Sequence, residues 1–360
     1  MRERLLKFLR CPYCKQTLEL TVFASSEGEI SEGILNCENQ HYFPVAHGVP
    51  RMLPSSLQDY WSKIEPNIPQ PVPDSIKALQ EKLKGKTRDY DTRTKANFSN
   101  EWDNHEIGGR TWTMDLKDRV QWFFLDSIRI PKEELDGKLM LDAGCGNGSQ
   151  SVAYTEFGLE VFAVDLSTGL EKGYAFRKVH AGAKPEKVHF IQADLQHPPF
   201  AGEIFDIIHS AGVLHHTPNT ETTFRALRPL LREGGTFYVW LYKYENIITR
   251  ILNSMRAVTT RIPAPIFAGI ANLMSIPFIG FCWTVNKLGI REYETPNRKE
   301  AALAVHDIFG APYAHYHSFD EVSEWYRSEG FTEIWDCDQS RRGFGVCGKT
   351  PAEKAETVKA

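Results

Sequence analysis

The sequence of 360 residues contains little cysteine. It has seven cysteines, and four of them stand alone at positions 145, 282, 337 and 347. A small disulfide-stabilised secreted domain would instead show an even, closely spaced set. The cysteine pattern excludes a disulfide framework and predicts a reducing, cytoplasmic setting.

Neither sign of charge is in marked excess. The chain has 42 Lys and Arg against 46 Asp and Glu, which gives a net charge of -4. Proteins whose main partner is a nucleic-acid backbone are usually basic. The composition therefore disfavours that class, although it leaves room for a local basic face.

Long uncharged runs are also scarce. The start, MRERLLKFLRCPYC, is charged throughout and lacks the roughly 7–15 apolar residues of a signal peptide. Only residues 262–286 raise a membrane question, and Pro263, Pro265 and Pro277 argue against a spanning helix there. We predict a helical cap over a substrate pocket, which suggests a partly apolar substrate. A membrane-surface segment and a dimer contact are the alternatives.

The chain divides into parts of different composition. Residues 1–57 contain short strand-like pieces separated by Pro, Gly and Ser, and residues 58–98 have the prolines and lysines of a partly helical linker. Residues 99–350 form the main predicted domain, which the apolar helical insertion interrupts at about 243–298. Residues 351–360 are predicted to be disordered.

Short apolar runs alternate with helix-length segments between Lys138 and Tyr242. The strand candidates are KLMLDAG, LEVFAVDL, VHFIQAD, FDIIHSAG and GTFYVWLY. This alternation predicts an α/β fold with a doubly wound, Rossmann-like sheet whose parallel strands are covered on both faces. The later runs FTEIWDCD and GFGVCGKT predict a closing antiparallel hairpin.

The first of these strands ends in a glycine loop, Asp142-Ala143-Gly144-Cys145-Gly146-Asn147-Gly148. Glycines at a strand-to-helix turn let the backbone approach a ligand closely. The spacing is G-x-G-x-G, whereas a dinucleotide fingerprint has G-x-G-x-x-G. Asp142 stands two residues before the first glycine, where it suits an ammonium group better than a pyrophosphate.

Two further acidic residues follow the next two predicted strands. Asp165 lies nineteen residues beyond Gly146, at the position where an acidic side chain accepts both hydroxyls of a ribose. Asp194 follows the third strand, on the same edge of the sheet, where an adenine amino group could reach it. The alternative is that each Asp only caps a helix. Three acidic residues in order on successive strands favour a nucleoside site.

These segments resemble the class I S-adenosylmethionine-dependent methyltransferases over roughly residues 99–348. LDAGCGNGSQ looks like their first motif, VFAVDLS their ribose-binding motif, IQADLQHPPF their adenine-side motif and FDIIHSAGVLHHTP their fourth motif. The similarity is closest to enzymes of the ubiquinone and menaquinone pathways and their small-molecule relatives. The resemblance implies S-adenosylmethionine as the cofactor.

The resemblance also implies which residues hold that cofactor. The glycine loop is expected to face the methionine part, Asp165 the ribose, and Asp194 with the Leu195 amide the adenine. The full predicted set lies at the ends of the first four strands: Asp142, Gly144, Cys145, Gly146, Asp165, Leu166, Ala193, Asp194, Leu195 and Ser210.

Candidate catalytic residues are histidines near the predicted methyl group. A base is required only if the acceptor is a hydroxyl or an acidic carbon. His215 follows the fourth strand and is the candidate base, with a buried structural role as the alternative. Residues 307–317 are predicted to form a loop over the pocket mouth, on which Tyr313, His315 and His317 contact substrate or merely form a lid.

The N-terminal unit contains a candidate metal site. Cys11, Cys14, Cys37 and His41 form two short-spaced pairs, which suits tetrahedral zinc. Free cysteines, or a ribbon that has lost its metal, are the alternatives. The segment resembles the zinc ribbon of certain rRNA guanine methyltransferases, where it implies RNA recognition, and a small ribbon protein that partners other methyltransferases.

Charge argues against RNA recognition by this ribbon. Residues 1–57 carry six basic and six acidic residues, and zero net charge is a poor footprint for phosphates. We therefore favour a ribbon that packs on the main domain or binds a partner protein.

The sequence predicts an S-adenosylmethionine-dependent methyltransferase acting on a small, partly apolar metabolite. An rRNA or tRNA base methyltransferase is the alternative with the same chemistry. A transferase or cyclase for a group other than methyl, and a non-catalytic cofactor-binding scaffold, are the others. The three intact acidic residues argue against the scaffold.

Overall fold

The computed structural model describes the following residues: 1–68, 76, 92–244, 254–289, 295–338 and 343–352. Most of the predicted linker, parts of the apolar insertion and nearly all of the tail predicted to be disordered lie outside the described residues.

The N-terminal unit is an antiparallel sheet with strands in the order β1-β2-β3-β4. Its strands are β1 (Glu19–Ser26), β2 (Glu29–Asn36), β3 (Tyr42–Ala46) and β4 (Val49–Pro50). Helix α1 (Ser56–Ile64) packs against this sheet through its apolar face, so Leu57, Tyr60 and Ile64 are buried beside Ile34 and Ala46.

The second sheet has seven strands in the order β10-β11-β9-β8-β5-β6-β7. Its strands are β5 (Leu139–Ala143), β6 (Glu160–Asp165), β7 (Val188–Gln192), β8 (Phe205–Ala211), β9 (Leu231–Tyr242), β10 (Glu333–Asp338) and β11 (Gly343–Lys349). Strands β5 to β9 are parallel, and β11 pairs antiparallel with both β9 and β10. The predicted doubly wound sheet and its closing hairpin are confirmed.

Helices cover this sheet and extend beyond it. They are α2 (Thr92–Asn104), α3 (Leu116–Val120), α4 (Asp126–Ile128), α5 (Ser149–Tyr154), α6 (Leu170–Phe176), α7 (Thr220–Leu227), α8 (Ala264–Lys287), α9 (Arg298–Gly310) and α10 (Phe319–Ser328). Capping boxes begin α9 and α10, because Asn297 and Ser318 each exchange hydrogen bonds with a Glu three residues later.

Helix α9 corrects one expectation. Residues 307–310 belong to this helix, and the loop predicted from Asp307 begins only at Ala311. Gly310 is the last residue of the helix and lies at a close contact. A Cβ atom there would lie 2.9 Å from both the Phe267 ring and the Asn97 side chain.

The N-terminal sheet packs on the β7 edge of the large sheet. The Met52 amide donates to the Gln192 carbonyl at 2.7 Å, which continues the pairing beyond β4. The Arg51 guanidinium is fully buried and lies 2.6 Å from the Glu171 carboxylate. Apolar residues of both sheets share one core cluster, which includes Leu9 and Phe162. The predicted packing of the ribbon on the main domain is therefore observed.

Candidate active site

A cleft of about 950 Å³, including space open to solvent, lies at the carboxyl ends of the parallel strands. One wall is formed by the segments at the carboxyl ends of β5 to β8. It carries six of the residues predicted to hold the cofactor: Gly144, Asp165, Leu166, Ala193, Asp194 and Leu195. We name it the cofactor wall. This is the edge where doubly wound sheets bind their ligands.

The glycine loop needs its glycines for steric reasons. Gly144 has φ of +90°, and a Cβ atom there would lie 2.3 Å from the Val213 side chain. Gly146 has φ of +58°, and its Cβ would lie 2.7 Å from the Trp102 ring. The backbone is thus pressed between the segment after β8 and helix α2. A side chain at either position would fill this space.

Asp165 is buried at the end of β6 and lines the cleft. Its two carboxylate oxygens accept hydrogen bonds from the Gly146 amide at 2.8 Å and the Ser167 amide at 2.7 Å. Burial raises the pKa of this carboxyl, although these bonds oppose the shift. Each oxygen keeps acceptor capacity for a further donor, as binding of a ribose diol requires.

Asp194 follows β7 and lines the same wall. Its carboxylate accepts from the Gln196 amide at 2.9 Å, and burial raises its pKa. The N-terminal ribbon supports the segment just beyond it, because Lys15 Nζ donates to the Pro198 carbonyl at 2.7 Å and the Arg10 amide donates to the Pro199 carbonyl at 2.9 Å.

Four predicted cofactor residues do not line the cleft. Asp142 is buried and accepts a 2.5 Å hydrogen bond from Ser151 Oγ. Ser210 is buried and donates to the Ala143 carbonyl at 2.8 Å, which joins β8 to β5. Cys145 and Gly146 lie within the glycine loop, and burial raises the pKa of the Cys145 thiol. These four residues lie behind the lining of the cofactor wall and support its backbone.

The opposite wall comes from distant parts of the chain and is named the acceptor wall. Helix α2 contributes Phe98 and Glu101, the turn after β8 contributes His216, and α9 with the following loop contributes Asp307 and Tyr313. The wall combines aromatic rings with two carboxylates and an imidazole. It can therefore pack against an apolar group and also receive a proton.

His216 is oriented by hydrogen bonding. Its Nδ1–H donates to the Tyr313 carbonyl at 2.7 Å, which places the proton on Nδ1. Nε2 lies 3.3 Å from Asp307 Oδ1, without the alignment of a hydrogen bond. The other oxygen of Asp307 accepts from the Tyr242 hydroxyl. Burial alone would raise the pKa of Asp307, but His216, Tyr242 and the charge of Arg256 hold this pKa below its ordinary value.

Glu101 forms a second buried pair on this wall. His306 Nδ1 donates to its carboxylate at 3.2 Å, and both side chains are almost fully buried. Burial raises the pKa of Glu101, and His306 opposes the shift. The acceptor wall thus contains one carboxyl with a raised pKa and another with a lowered pKa.

The three predicted catalytic histidines lie in different places, and none of them lines the cleft. His215 is fully buried and stacks on Tyr242, with ring centroids 3.9 Å apart. Neither of its ring nitrogens has a hydrogen-bond partner among the described residues, and burial lowers its pKa well below the ordinary value. His315 donates to the Thr217 carbonyl at 3.0 Å, and burial lowers its pKa.

His317 anchors the loop to neighbouring helices. Its Nδ1 lies 2.9 Å from the Glu321 carboxylate, and its Nε2 lies 3.0 Å from the Thr220 hydroxyl. Tyr313, by contrast, lines the cleft as predicted.

The sequence did not show which residues pair with one another on the acceptor wall. His216 was visible as the second histidine of VLHHTP, but a lone sequence does not show which of two adjacent rings faces a cavity. His306 was visible as a histidine of HDIFGAPYAHYH, but its partner Glu101 gave no signal, because the two residues are 205 positions apart in the chain. The pairing of Asp307 with His216 also gave no signal.

The described part of the apolar insertion does not form the expected cap. Of residues 254–289, none lines the cleft. Helix α8 instead packs on the outer side of α9 and α2. Its Phe267 ring lies 5.5 Å from the His306 ring, behind the residue that pairs with Glu101. The buried pair therefore stands between this helix and the cleft.

The four predicted metal ligands converge. Their ligand atoms all lie within 4.8 Å of one another. The Cys14 and Cys37 sulfurs are 3.6 Å apart, and the His41 Nδ1 atom lies 3.3 Å from the Cys11 sulfur and 3.4 Å from the Cys37 sulfur. A tetrahedron around zinc, with Zn–S of about 2.3 Å, has S–S edges of about 3.8 Å. The spacing fits that geometry.

Comparison with known proteins identifies the class of the main domain. Residues 141–239 match the family model described as "Methyltransferase domain". The predicted resemblance to class I S-adenosylmethionine-dependent methyltransferases is confirmed, and the segment that carries the glycine loop and its acidic partners is a domain of this class.

Individual relatives match the same part of the chain. A ubiquinone biosynthesis O-methyltransferase from Aromatoleum aromaticum is 34% identical over 106 residues, 29% of this chain and 44% of the relative. Phosphoethanolamine N-methyltransferase 2 from Caenorhabditis elegans is 32% identical over 108 residues, 29% of this chain and 24% of the relative. The chain thus spans less than half the length of these curated relatives.

Among solved structures, a Haemonchus contortus phosphoethanolamine N-methyltransferase 2 in complex with S-adenosyl-L-methionine is similar to 74% of this chain, with 61% of its own chain covered. The TM-score is 0.44 and the sequence identity is 15%.

Proposed function

We propose that this protein transfers a methyl group from S-adenosylmethionine to a small, partly apolar acceptor in the cytoplasm. One observation carries the proposal: a single cleft joins the cofactor wall of a methyltransferase domain to an acceptor wall with aromatic rings and an oriented imidazole. Methyl transfer is a displacement that depends on holding the nucleophile near the methyl carbon and excluding water. S-adenosylmethionine supplies the methyl group when bound, and both walls supply the positioning.

His216 is the residue we propose as the general base. The Tyr313 carbonyl holds the proton on Nδ1, so Nε2 is the nitrogen with a lone pair. Nε2 is a buried atom beside the Asp307 carboxylate. We infer that an acceptor hydroxyl displaces this contact and passes its proton to Nε2, and that Asp307 then stabilises the resulting imidazolium. His215 is less suited to this role, because full burial opposes charging of its ring.

The experiment compares His216→Asn with His215→Asn. We expect His216→Asn to lower methyl transfer to a hydroxyl acceptor about 100-fold. Thermal-shift titration of this variant with S-adenosylhomocysteine should still show wild-type affinity. His215→Asn should mainly lower thermal stability. If His215→Asn abolishes turnover while His216→Asn keeps it, the assignment of the base is wrong. If S-adenosylhomocysteine does not bind the wild-type protein, the methyltransferase proposal itself fails.

We also propose that Cys11, Cys14, Cys37 and His41 hold a structural zinc ion. Three thiolates and an imidazole are a common closed zinc site, and a ribbon of about 50 residues has little core of its own. The fit of the four ligand atoms supports this assignment. We expect about one zinc per chain by elemental analysis, and Cys11→Ser should lower both zinc content and melting temperature. Metal-free wild-type protein with an unchanged melting temperature would contradict the assignment.

The contacts of the ribbon support an internal role over RNA binding. Five of its six basic residues are engaged within the chain. Arg2 pairs with Glu29, Arg4 with Glu160 and Arg51 with Glu171, while Arg10 and Lys15 donate to backbone carbonyls. Few cations remain for phosphates. Filter binding to RNA across salt concentrations should give a weak, flat response, whereas a steep salt dependence would favour the RNA methyltransferase alternative.

A further inference from the structure

Helix α8 presents apolar side chains to solvent along its outer face. Leu273 is 70% exposed, Phe281 61% and Ile276 55%. The opposite face is buried, because Phe267 and Ala271 pack toward the body of the protein. A soluble surface helix normally has a polar outer face. An exposed row of large apolar side chains indicates a surface that binds something apolar.

The charge of this region indicates what that partner is. The sequence from Asn246 to Arg291 contains five basic residues and no acidic residue, although the whole chain has a net charge of -4. Among the described residues, Arg261 precedes α8 and Lys287 ends it, and both are exposed. The Lys287 ammonium lies 4.8 Å from the centre of the Trp283 ring. Apolar side chains bordered by cations and a tryptophan suit an anionic lipid surface.

A second copy of the chain fits this face less well. In a two-fold symmetric contact, a surface patch meets the same patch of its partner. The cations at the ends of α8 would then approach those of the other copy with no acidic residue in the segment to pair with them. A spanning arrangement also fits poorly. Although α8 has the length and hydropathy to cross a membrane, one of its faces is already packed on α9 and α2.

We propose that the outer face of α8 binds the surface of an anionic bilayer, with the helix lying in the interfacial plane. In this arrangement Leu273, Ile276 and Phe281 enter the boundary between headgroups and acyl chains, and Arg261 and Lys287 contact lipid phosphates. The cleft lies behind α9 and α2, on which α8 packs. Docking therefore brings the cleft to within one helix layer of the lipid.

The test is co-sedimentation of the full-length protein with vesicles. We expect binding to vesicles with about 30% phosphatidylglycerol in phosphatidylcholine and much weaker binding to pure phosphatidylcholine. Leu273→Glu and Phe281→Glu should each weaken binding about tenfold or more. Arg261→Gln and Lys287→Gln should each weaken it about fivefold.

Val179→Glu is the matched control, because Val179 is an apolar side chain that is 78% exposed on the segment after α6. This variant should bind vesicles like the wild type. Absence of wild-type binding to anionic vesicles would overturn the proposal, and so would equal loss in the control. A dimer in sedimentation equilibrium that Leu273→Glu dissociates, without vesicle binding by the wild type, would instead make this face an interface between copies.

Discussion

The two walls of the cleft differ in how the chain builds them. The cofactor wall comes from the ends of successive parallel strands, so its predicted cofactor residues lie in short motifs within 51 positions of one another, from Gly144 to Leu195. The acceptor wall combines α2, the turn after β8, and α9 with its loop, from Thr94 to Tyr313. The first wall depends on a local pattern that a domain family shares. The second depends on how distant helices pack in this chain.

The two walls also differ electrostatically. On the cofactor wall, burial raises the pKa of Asp165 and Asp194, and backbone amides provide the opposing hydrogen bonds. On the acceptor wall each carboxylate pairs with an imidazole, which lowers its pKa. Burial outweighs this pairing at Glu101 and raises its pKa, whereas His216, Tyr242 and Arg256 together outweigh burial at Asp307 and lower its pKa. A carboxylate held by backbone amides suits a neutral hydrogen-bond donor such as a ribose, whereas ionisable pairs suit a group that gives up a proton. This difference predicts that variants of the acceptor wall leave cofactor affinity unchanged.

The largest effect is expected from Asp165→Ala. On the predicted assignment of Asp165 to the ribose, the variant loses the acceptor of both ribose hydroxyls, each worth about 1.5 kcal/mol as a charge-assisted bond. Affinity for S-adenosylhomocysteine should then fall about 100-fold. Isothermal titration calorimetry measures this change. Asp307→Asn, from the other wall, is the control and should bind with wild-type affinity. Equal losses in both variants would mean that the walls are not separable.

A smaller effect, on turnover alone, is expected from Asp307→Asn. The amide cannot stabilise an imidazolium as a carboxylate does, so kcat should fall about 10-fold to 30-fold, which is about 2 kcal/mol in the barrier. The Tyr242 hydroxyl keeps an acceptor in the amide oxygen, which limits structural damage. Single-turnover methyl transfer with saturating cofactor measures the step. An unchanged kcat would remove Asp307 from the proposed pair.

The smallest effect is a pH dependence of cofactor binding. Folding raises the pKa values of Asp165 and Asp194. The folded protein therefore holds these two protons more tightly than the unfolded chain does. As pH rises from the unfolded to the folded pKa values, the two carboxyls lower the stability of the folded state. A ribose or adenine that donates to the carboxylate lowers the pKa again. Binding should therefore release protons, and affinity should fall as pH decreases through the raised values, by at most about tenfold per pH unit for each carboxyl.

Calorimetry in buffers of different ionisation enthalpy reports this proton release. Asp165→Asn should reduce it, whereas His216→Asn on the acceptor wall should leave it unchanged. Proton release that is insensitive to Asp165→Asn would show that another group titrates.

Much of the fold could be predicted because it follows from local patterns. All seven strands of the large sheet were visible as apolar runs between turn signals. The end of α9 was predicted wrongly, because glycine normally favours a loop. The helix continues to Gly310, where the tight approach of Phe267 requires a glycine, and sequence spacing cannot show that contact.

The role of the apolar insertion illustrates the same limit. Its helical character followed from composition, and α8 confirms it. Its position did not follow, because hydrophobicity indicates that a segment is covered but not which neighbour covers it. The structure places one face on α9 and α2 and leaves the other exposed.

The sequence alone was sufficient for the cofactor chemistry and the convergence of Cys11, Cys14, Cys37 and His41, because both depend on side chains held at short, regular spacings by strands and turns. Only the folded chain shows that His216 lines the cleft while His215 is buried, that Asp307 lies beside His216, and that Glu101 meets His306. Such pairs form between segments up to 205 positions apart, and the packing of whole helices determines them. Helix packing also leaves the apolar outer face of α8 uncovered.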